Sequence, residues 1–271
     1  MCMLFVYFCN DPSSEDGYSV IIASNRDEVI TKPTLSANFW SDYSDCIGGI
    51  DEMGGGTWLG VSKRERIGVL LNISCEPDLT KPTRGTLVKD FVTGSDDSCV
   101  YLEKCSKKRA NYNPYHLILL EKENKIWRSF YQNKEMEIPF LNLQPGYHVF
   151  GNCPDNKPWK KIEYGRKLFQ NIVEKYNNVK QRDDLKAQLL NMLSDSKKNL
   201  PDQALYNQLS HVKDPSCYSS IRVKIPESSY GTRTHTIVLV DKKGNFHYEE
   251  KTMTEPIDLQ NPNWITSHFD F

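Results

Sequence analysis

Cys2 is the residue of this chain whose position alone could do chemistry. A small residue after the initiator Met favours removal of that Met, which would leave a thiol and a free α-amine on one residue. An α-amine titrates at about 7.7–8.0, so much of it is neutral at physiological pH and can accept the thiol proton. Nucleophile and base would then be one residue. From position alone, the plainer reading is the stronger one: a small, apolar start to a strand.

Other segments bear on the choice. Ser24-Asn25-Arg26-Asp27-Glu28 sets Arg26 and Asp27 directly after an apolar run; a cation there lowers a thiol pKa and a carboxylate can hold an amine, although a lone charge cluster at a strand end is usually a solvated turn. Asn72 closes the run Gly68 to Leu71, and Asn152 follows Phe150-Gly151 just before Cys153-Pro154. Each offers an amide N–H to a developing oxyanion, although a single Asn at a strand end is far more often a turn former. Arg233, in Tyr230-Gly-Thr-Arg-Thr-His235, supplies a further cation where a strand begins. The Gly54-Gly55-Gly56 run precedes Trp58 and a strand and has no Lys-Ser/Thr ending, so it reads as a tight turn bringing backbone close to the site, not as a phosphate loop.

These residues need strands to hold them. Met3–Phe8 and Tyr18–Ala23 are β-rich runs around a polar turn at 10–17, a hairpin by composition. Trp58–Val61 and Ile67–Asn72 flank the charged tip Ser62–Arg66 and predict a second hairpin. Leu87, Val88, Phe91 and Val92 recur at helical spacing, and Ser98–Lys107 reads as a shorter helix. Strands return at Tyr115–Leu120, Lys125–Tyr131 and Tyr147–Phe150. The 3.6 period then governs Trp159–Tyr176 and, behind an acidic N-cap, Asp183–Leu193. Thr234–Asp241 and Phe246–Glu249 close a hairpin around Lys242-Lys-Gly-Asn245. Strands and helices without regular βαβ alternation point to an α+β sandwich in which helices cover antiparallel sheets.

Composition narrows the function classes. The 271 residues suffice for one domain spanning 1–271. Thirty-four basic against thirty-five acidic residues provide no positive field to gather nucleic acid. No run approaches the ~18 apolar residues of a membrane span, and Met1–Cys9 lacks a basic leader, so the expected compartment is the cytoplasm. The eight cysteines form no CxxC pair, so free thiols are expected and a zinc site is not.

The start Met1-Cys2, the tetrad Asn25-Arg26-Asp27-Glu28, the Gly55-Gly-Thr-Trp-Leu-Gly60 box and the Tyr230-Gly-Thr-Arg233 box, in that order along the chain, resemble the NRDE-motif family of transport and Golgi organisation proteins. More distantly they resemble the cysteine N-terminal-nucleophile (Ntn) hydrolases that cleave bile-salt and penicillin amides. The resemblance implies a four-layer αββα sandwich. It makes Cys2 the nucleophile, Arg26 its neighbour and Asp27 the partner of the freed amine, with Asn72 and Asn152 at the oxyanion hole and Arg233 completing the polar ring.

It also implies a different class of function, a haem carrier or chaperone moving haem between compartments, with association to mitochondria or Golgi. Haem needs an apolar slot and often a His, Cys, Met or Tyr ligand. Cys153, in a Cys-Pro dipeptide, and His116, His148 and His235, in or beside apolar strands, are the candidates. A residue so placed is more often a packing or turn residue than an axial ligand, and Cys153 is slightly the best of the four. The expectation is thus a haem-trafficking factor on an Ntn-hydrolase-like fold, with a cysteine amidohydrolase acting on a small amphipathic amide as the alternative.

Overall fold

The computed structural model describes residues 2–11 and 16–271. The polar turn at 10–17 therefore lies partly outside the described residues, as does Met1. The chain forms two compact units, residues 1–31 with 145–271 and residues 32–144.

The first unit begins with β1 (Met3–Phe8) and β2 (Tyr18–Val29), antiparallel in the register Met3↔Asn25 to Phe8↔Val20. The chain then builds the second unit: β3 (Thr34–Trp40), β4 (Tyr43–Asp51), β5 (Leu59–Ser62), β6 (Arg66–Asn72), α1 (Thr86–Thr93), α2 (Ser98–Lys108), β7 (Tyr115–Glu123), β8 (Ile126–Asn133) and β9 (Leu141–Leu143). It returns with β10 (Gly146–Phe150), α3 (Lys160–Tyr176), α4 (Arg182–Leu193), α5 (Gln203–Gln208), β11 (Lys224–Ile225), β12 (Tyr230–Asp241), β13 (Phe246–Met253) and β14 (Trp264–Asp270).

In the first unit the sheet order is β10-β1-β2-β12-β13-β14, with β11 paired to β12. α3 packs on β1 and β10, and α4 on β2 and β12. The core between them joins Met3, Phe5, Ile21, Ala23, Ile237 and Leu239 of the sheet to Phe169, Val173, Leu185 and Leu189 of the helices. Gly165 lets α3 approach closely, since a Cβ there would sit 2.7 Å from the Phe5 ring. β2 is buried from Tyr18 through Asp27 on both faces, so its runs are apolar throughout where a half-solvated strand would alternate.

The second unit is a meander, β3 to β9 in sequence order. Val88, Phe91, Val92 and Leu102 of α1 and α2 pack on Leu70, Leu117, Leu119 and Phe130. At the glycine run, Gly55 takes φ +64° and Asp51 N–H donates to Gly56 O at 2.9 Å. It is the tight turn expected, but the close backbone approach is to Gly85 ahead of α1, 2.3 Å from where a Cβ on Gly56 would sit.

The structure revises several expectations. The Asn25–Glu28 tetrad is not a turn after a strand but the last part of β2 itself. α4 has Gln181 at its N-cap with no capping side chain, while Asp183 and Asp184 lie in its first turn, where they face the positive end of the helix dipole. β3, β4, β9, β14 and α5 carry too little apolar periodicity to be read from sequence; β3 buries only Ala37 and Trp40.

Candidate functional site

Strand alternation sorts the end of β2. Asn25 and Asp27 share the face of Ile21 and Ala23, towards the helix layer, while Arg26 and Glu28 take the other. Asn25 is fully buried and donates to Leu193 O at 2.8 Å and Ile221 O at 3.0 Å. Its Oδ1 lies 2.6 Å from His235 Nδ1; a carbonyl oxygen only accepts, so Nδ1 carries the proton. His235 stacks on Trp264 with centroids 5.0 Å apart. Burial, with Arg222 and Lys251 nearby, pushes its pKa down to about 3. This pair fixes β2 to β12 one register step from the charged residues.

Asp27 is 5% exposed. Thr232 donates its hydroxyl to Asp27 Oδ1 at 2.5 Å and accepts from Val223 N–H at 2.9 Å. Burial raises the carboxyl pKa, and Lys161 and the Thr232 hydrogen bond oppose that rise. Cys2 is half-buried at the head of β1, its Sγ 3.9 Å from the backbone carbonyl of Asp27. Burial raises the thiol pKa, Asp27 adds to the rise and Arg26 opposes it. The thiol, the carboxyl and the guanidinium that the sequence singled out therefore meet at one end of one sheet.

Arg233 joins them through an irregularity. The β2–β12 register shifts between Thr232 and Thr234, making Arg233 the extra residue on β12. Its guanidinium donates to Ile30 O at 3.1 Å and lies 3.9 Å from Glu255. Burial and the neighbouring Arg26 both lower its pKa. Arg26 pairs with Glu28 at 3.6 Å. Two buried guanidiniums thus flank the strand end, with Glu28 and Glu255 at their edge.

Asn152 belongs to the same unit, 2% exposed just beyond β10, its backbone carbonyl accepting from Gln208 at 3.0 Å. Asn72 ends β6 in the other unit, with an exposed side chain. The haem-ligand candidates are scattered. Cys153 is 4% exposed, and burial pushes its thiol up to about 11. His148 stacks on Phe8 at 5.8 Å. His235 is engaged with Asn25. His116, in the other unit, lies 2.8 Å from the Tyr131 hydroxyl. Among the described residues no three or more His, Cys, Asp or Glu gather as a metal site, and no helix is long and apolar enough to cross a membrane.

Two residues of the site were not singled out from sequence. Thr232 carries no signal distinguishing it from any strand threonine. Lys161 does carry one: it is fully buried, at the i position of an i, i+4, i+8 stripe completed by Gly165 and Phe169, where an amphipathic helix places apolar groups. Its Nζ donates to Ser220 O at 3.1 Å and lies 5.5 Å from the Trp159 ring centroid.

The chain is similar in fold to the Caenorhabditis elegans N-acylethanolamine-hydrolyzing acid amidase ortholog, with a TM-score of 0.52, 11% identity, and 88% of this chain and 92% of that chain covered. That likeness shows the fold, of Ntn-hydrolase type, and both units take part in it. It is 35% identical over 279 residues to the transport and Golgi organization 2 homolog of Mus musculus, covering 100% of this chain and 99% of the relative. With the Homo sapiens homolog the identity is 35% over 281 residues, at the same coverage. The family profile for transport and Golgi organisation 2 matches residues 1–255, and with relatives aligned end to end at this identity, the chain belongs to the transport and Golgi organisation 2 family.

Proposed function

We propose that the chain is a cysteine amide hydrolase of the Ntn type, acting on a small amphipathic amide through Cys2. The observation that carries this reading is the Cys2 thiol at a strand head, 3.9 Å from the backbone carbonyl of Asp27, the residue whose buried carboxyl Thr232 bonds. Once Met1 is removed, the α-amine of Cys2 takes the thiol proton while Asp27 holds that amine in place. Sγ attacks the amide carbonyl carbon, the C–N bond breaks, and the leaving amine takes the proton back from the ammonium. Water then cleaves the thioester. In this reading Asn152 donates to the oxyanion, and Arg26 and Arg233 favour a substrate with a polar or anionic end. Asn72 carries a donor role by family resemblance alone, and its own substitution tests that. A fold relative named for hydrolysing N-acylethanolamines makes fatty-acyl amides the first substrates to screen.

The test is intact mass followed by amide turnover. Loss of Met1, with turnover that Cys2→Ser and Cys2→Ala both abolish, is expected. Full turnover in either variant rules the assignment out.

Haem carriage, in the cytoplasm and beside mitochondria or Golgi, is the second reading, and a specific feature favours it. A groove of about 620 Å³ runs between α3 and α4, lined by Tyr164, Leu168, Ile172, Tyr176 and Met192 together with polar Asn171, Lys175, Gln188, Asn191, Ser194, Asp195 and Ser196. It sets Tyr and Met, both iron-ligand types, beside a cation suited to a carboxylate in a groove of mixed polarity, where the Tyr164 hydroxyl donates to Asp195 at 2.7 Å. Saturable haem binding that survives Cys2→Ala and is lost in Tyr164→Phe together with Met192→Ala would support it; binding unchanged by the groove variants would remove the groove from it.

A further inference from the structure

Among the described residues, Lys161 is the buried cation on the helix side of this site that the mechanism above leaves unused. A buried ammonium is costly unless its surroundings pair it, and such groups are retained where they act on a functional neighbour. Among the described residues Ser220 O is the hydrogen-bond acceptor found for Nζ, so most of its donor capacity is uncommitted to neutral groups. The segment 220–223 shows where that ammonium is held. Ser220 O accepts from Lys161, Ile221 O accepts from Asn25, and Val223 N–H donates to the same Thr232 hydroxyl that bonds Asp27. Ser220, Ile221 and, through Thr232, Val223 thus tie Lys161, Asn25 and Asp27 to one short segment, on the helix-facing side of β2. Burial pushes the pKa of this ammonium down, and the acidic groups around it that oppose the fall are Asp27 first, then Cys153, Cys2 and Asp202. Asp202 is already spent, its two oxygens accepting from the backbone N–H groups of Lys160 at 2.6 Å and Leu205 at 3.1 Å.

We propose that Lys161 is a positioning residue of the Cys2 site, its ammonium balancing the Asp27 carboxylate so that the pair presents no net charge to the nucleophile. The consequence is electrostatic. An unbalanced carboxylate beside Cys2 would raise the pKa of both its thiol and its α-amine, leaving the thiol protonated and the amine a poor proton acceptor at neutral pH. With Lys161 present, Asp27 can orient the amine without locking the proton on it. This deepens the hydrolase reading and rests on it for its purpose, but the charge balance itself holds whether or not a substrate is ever cleaved.

The test is the pH profile of Cys2 alkylation by iodoacetamide, followed by site-resolved mass spectrometry on protein shown to be folded by circular dichroism. Lys161→Met is expected to move the Cys2 midpoint up by about one pH unit and Asp27→Asn to move it down by about as much, since each unmasks the other's charge. The double variant returns towards the wild-type midpoint, which a merely structural lysine would not produce. Should Lys161→Met fail to fold, Asp27→Asn and the charge-keeping Lys161→Arg decide: a downward shift in the first and a wild-type midpoint in the second are required. Unmoved midpoints, or shifts of the same sign in Lys161→Met and Asp27→Asn, overturn the proposal. Absence of Cys2-dependent turnover with the opposite shifts intact would instead sink the hydrolase reading alone.

Discussion

Acidification should weaken the fold through one histidine before the carboxylates of lowered pKa contribute. His235 has a folded pKa of about 3, against about 6.5 in an unfolded chain. A folded pKa below the unfolded one means that the native state resists protonation. The stability is present above about pH 6.5 and is lost as pH falls towards the folded value. Between about pH 7.5 and pH 4.5 the loss from this group is about 2.5–3 kcal/mol. His235 is 2% exposed, so solvent screening takes little from that figure. Protonation leaves the Nδ1–H bond to Asn25 in place; the cost is that of a cation enclosed with Arg222 and Lys251. Glu249, lowered to about 2 by His247 and Lys186, contributes stability present above about pH 4.5 and lost only below it, so it stays outside the window. Urea unfolding of wild type and His235→Asn at half-unit pH steps measures the term, Asn keeping a donor at the Nδ1 position. The variant starts less stable, having lost its stacking on Trp264, but its stability should fall less with acid by the amount above. Parallel curves for the two proteins would refute the reasoning.

Thr232→Val deprives both Asp27 Oδ1 and Val223 N–H of a partner, and unfolding should show a loss of about 2–3 kcal/mol. Gly165→Val drives a branched side chain into the Phe5 ring, and a melting curve should register an overpacking cost of about 1–3 kcal/mol. Cys153, buried with its thiol at about 11, should stay unalkylated in native protein at mildly alkaline pH while exposed Cys75 reacts, as peptide mapping would show.

The sequence by itself determined the strands and helices with strong period or clear turns: the β1–β2, β5–β6 and β12–β13 hairpins, α1, and the long apolar face of α3. It also determined the residue types at the site, because Cys2, Arg26, Asp27 and Arg233 stand out by charge or position against apolar strands. The tertiary structure decided the rest. Register, set by pairing across 205 positions, placed Thr232 on Asp27. The irregularity at Arg233 is a mismatch between two strands and has no local signature. Asn72, although at a strand end like the other candidates, belongs to a different unit from Cys2. Lys161 was legible only as an anomaly, a charge in an apolar stripe; what it balances depends on the 220–223 segment, some sixty residues later in the chain. Periodicity records which face of an element is buried, whereas the partner of a buried charge is set by long-range pairing, which no local pattern encodes.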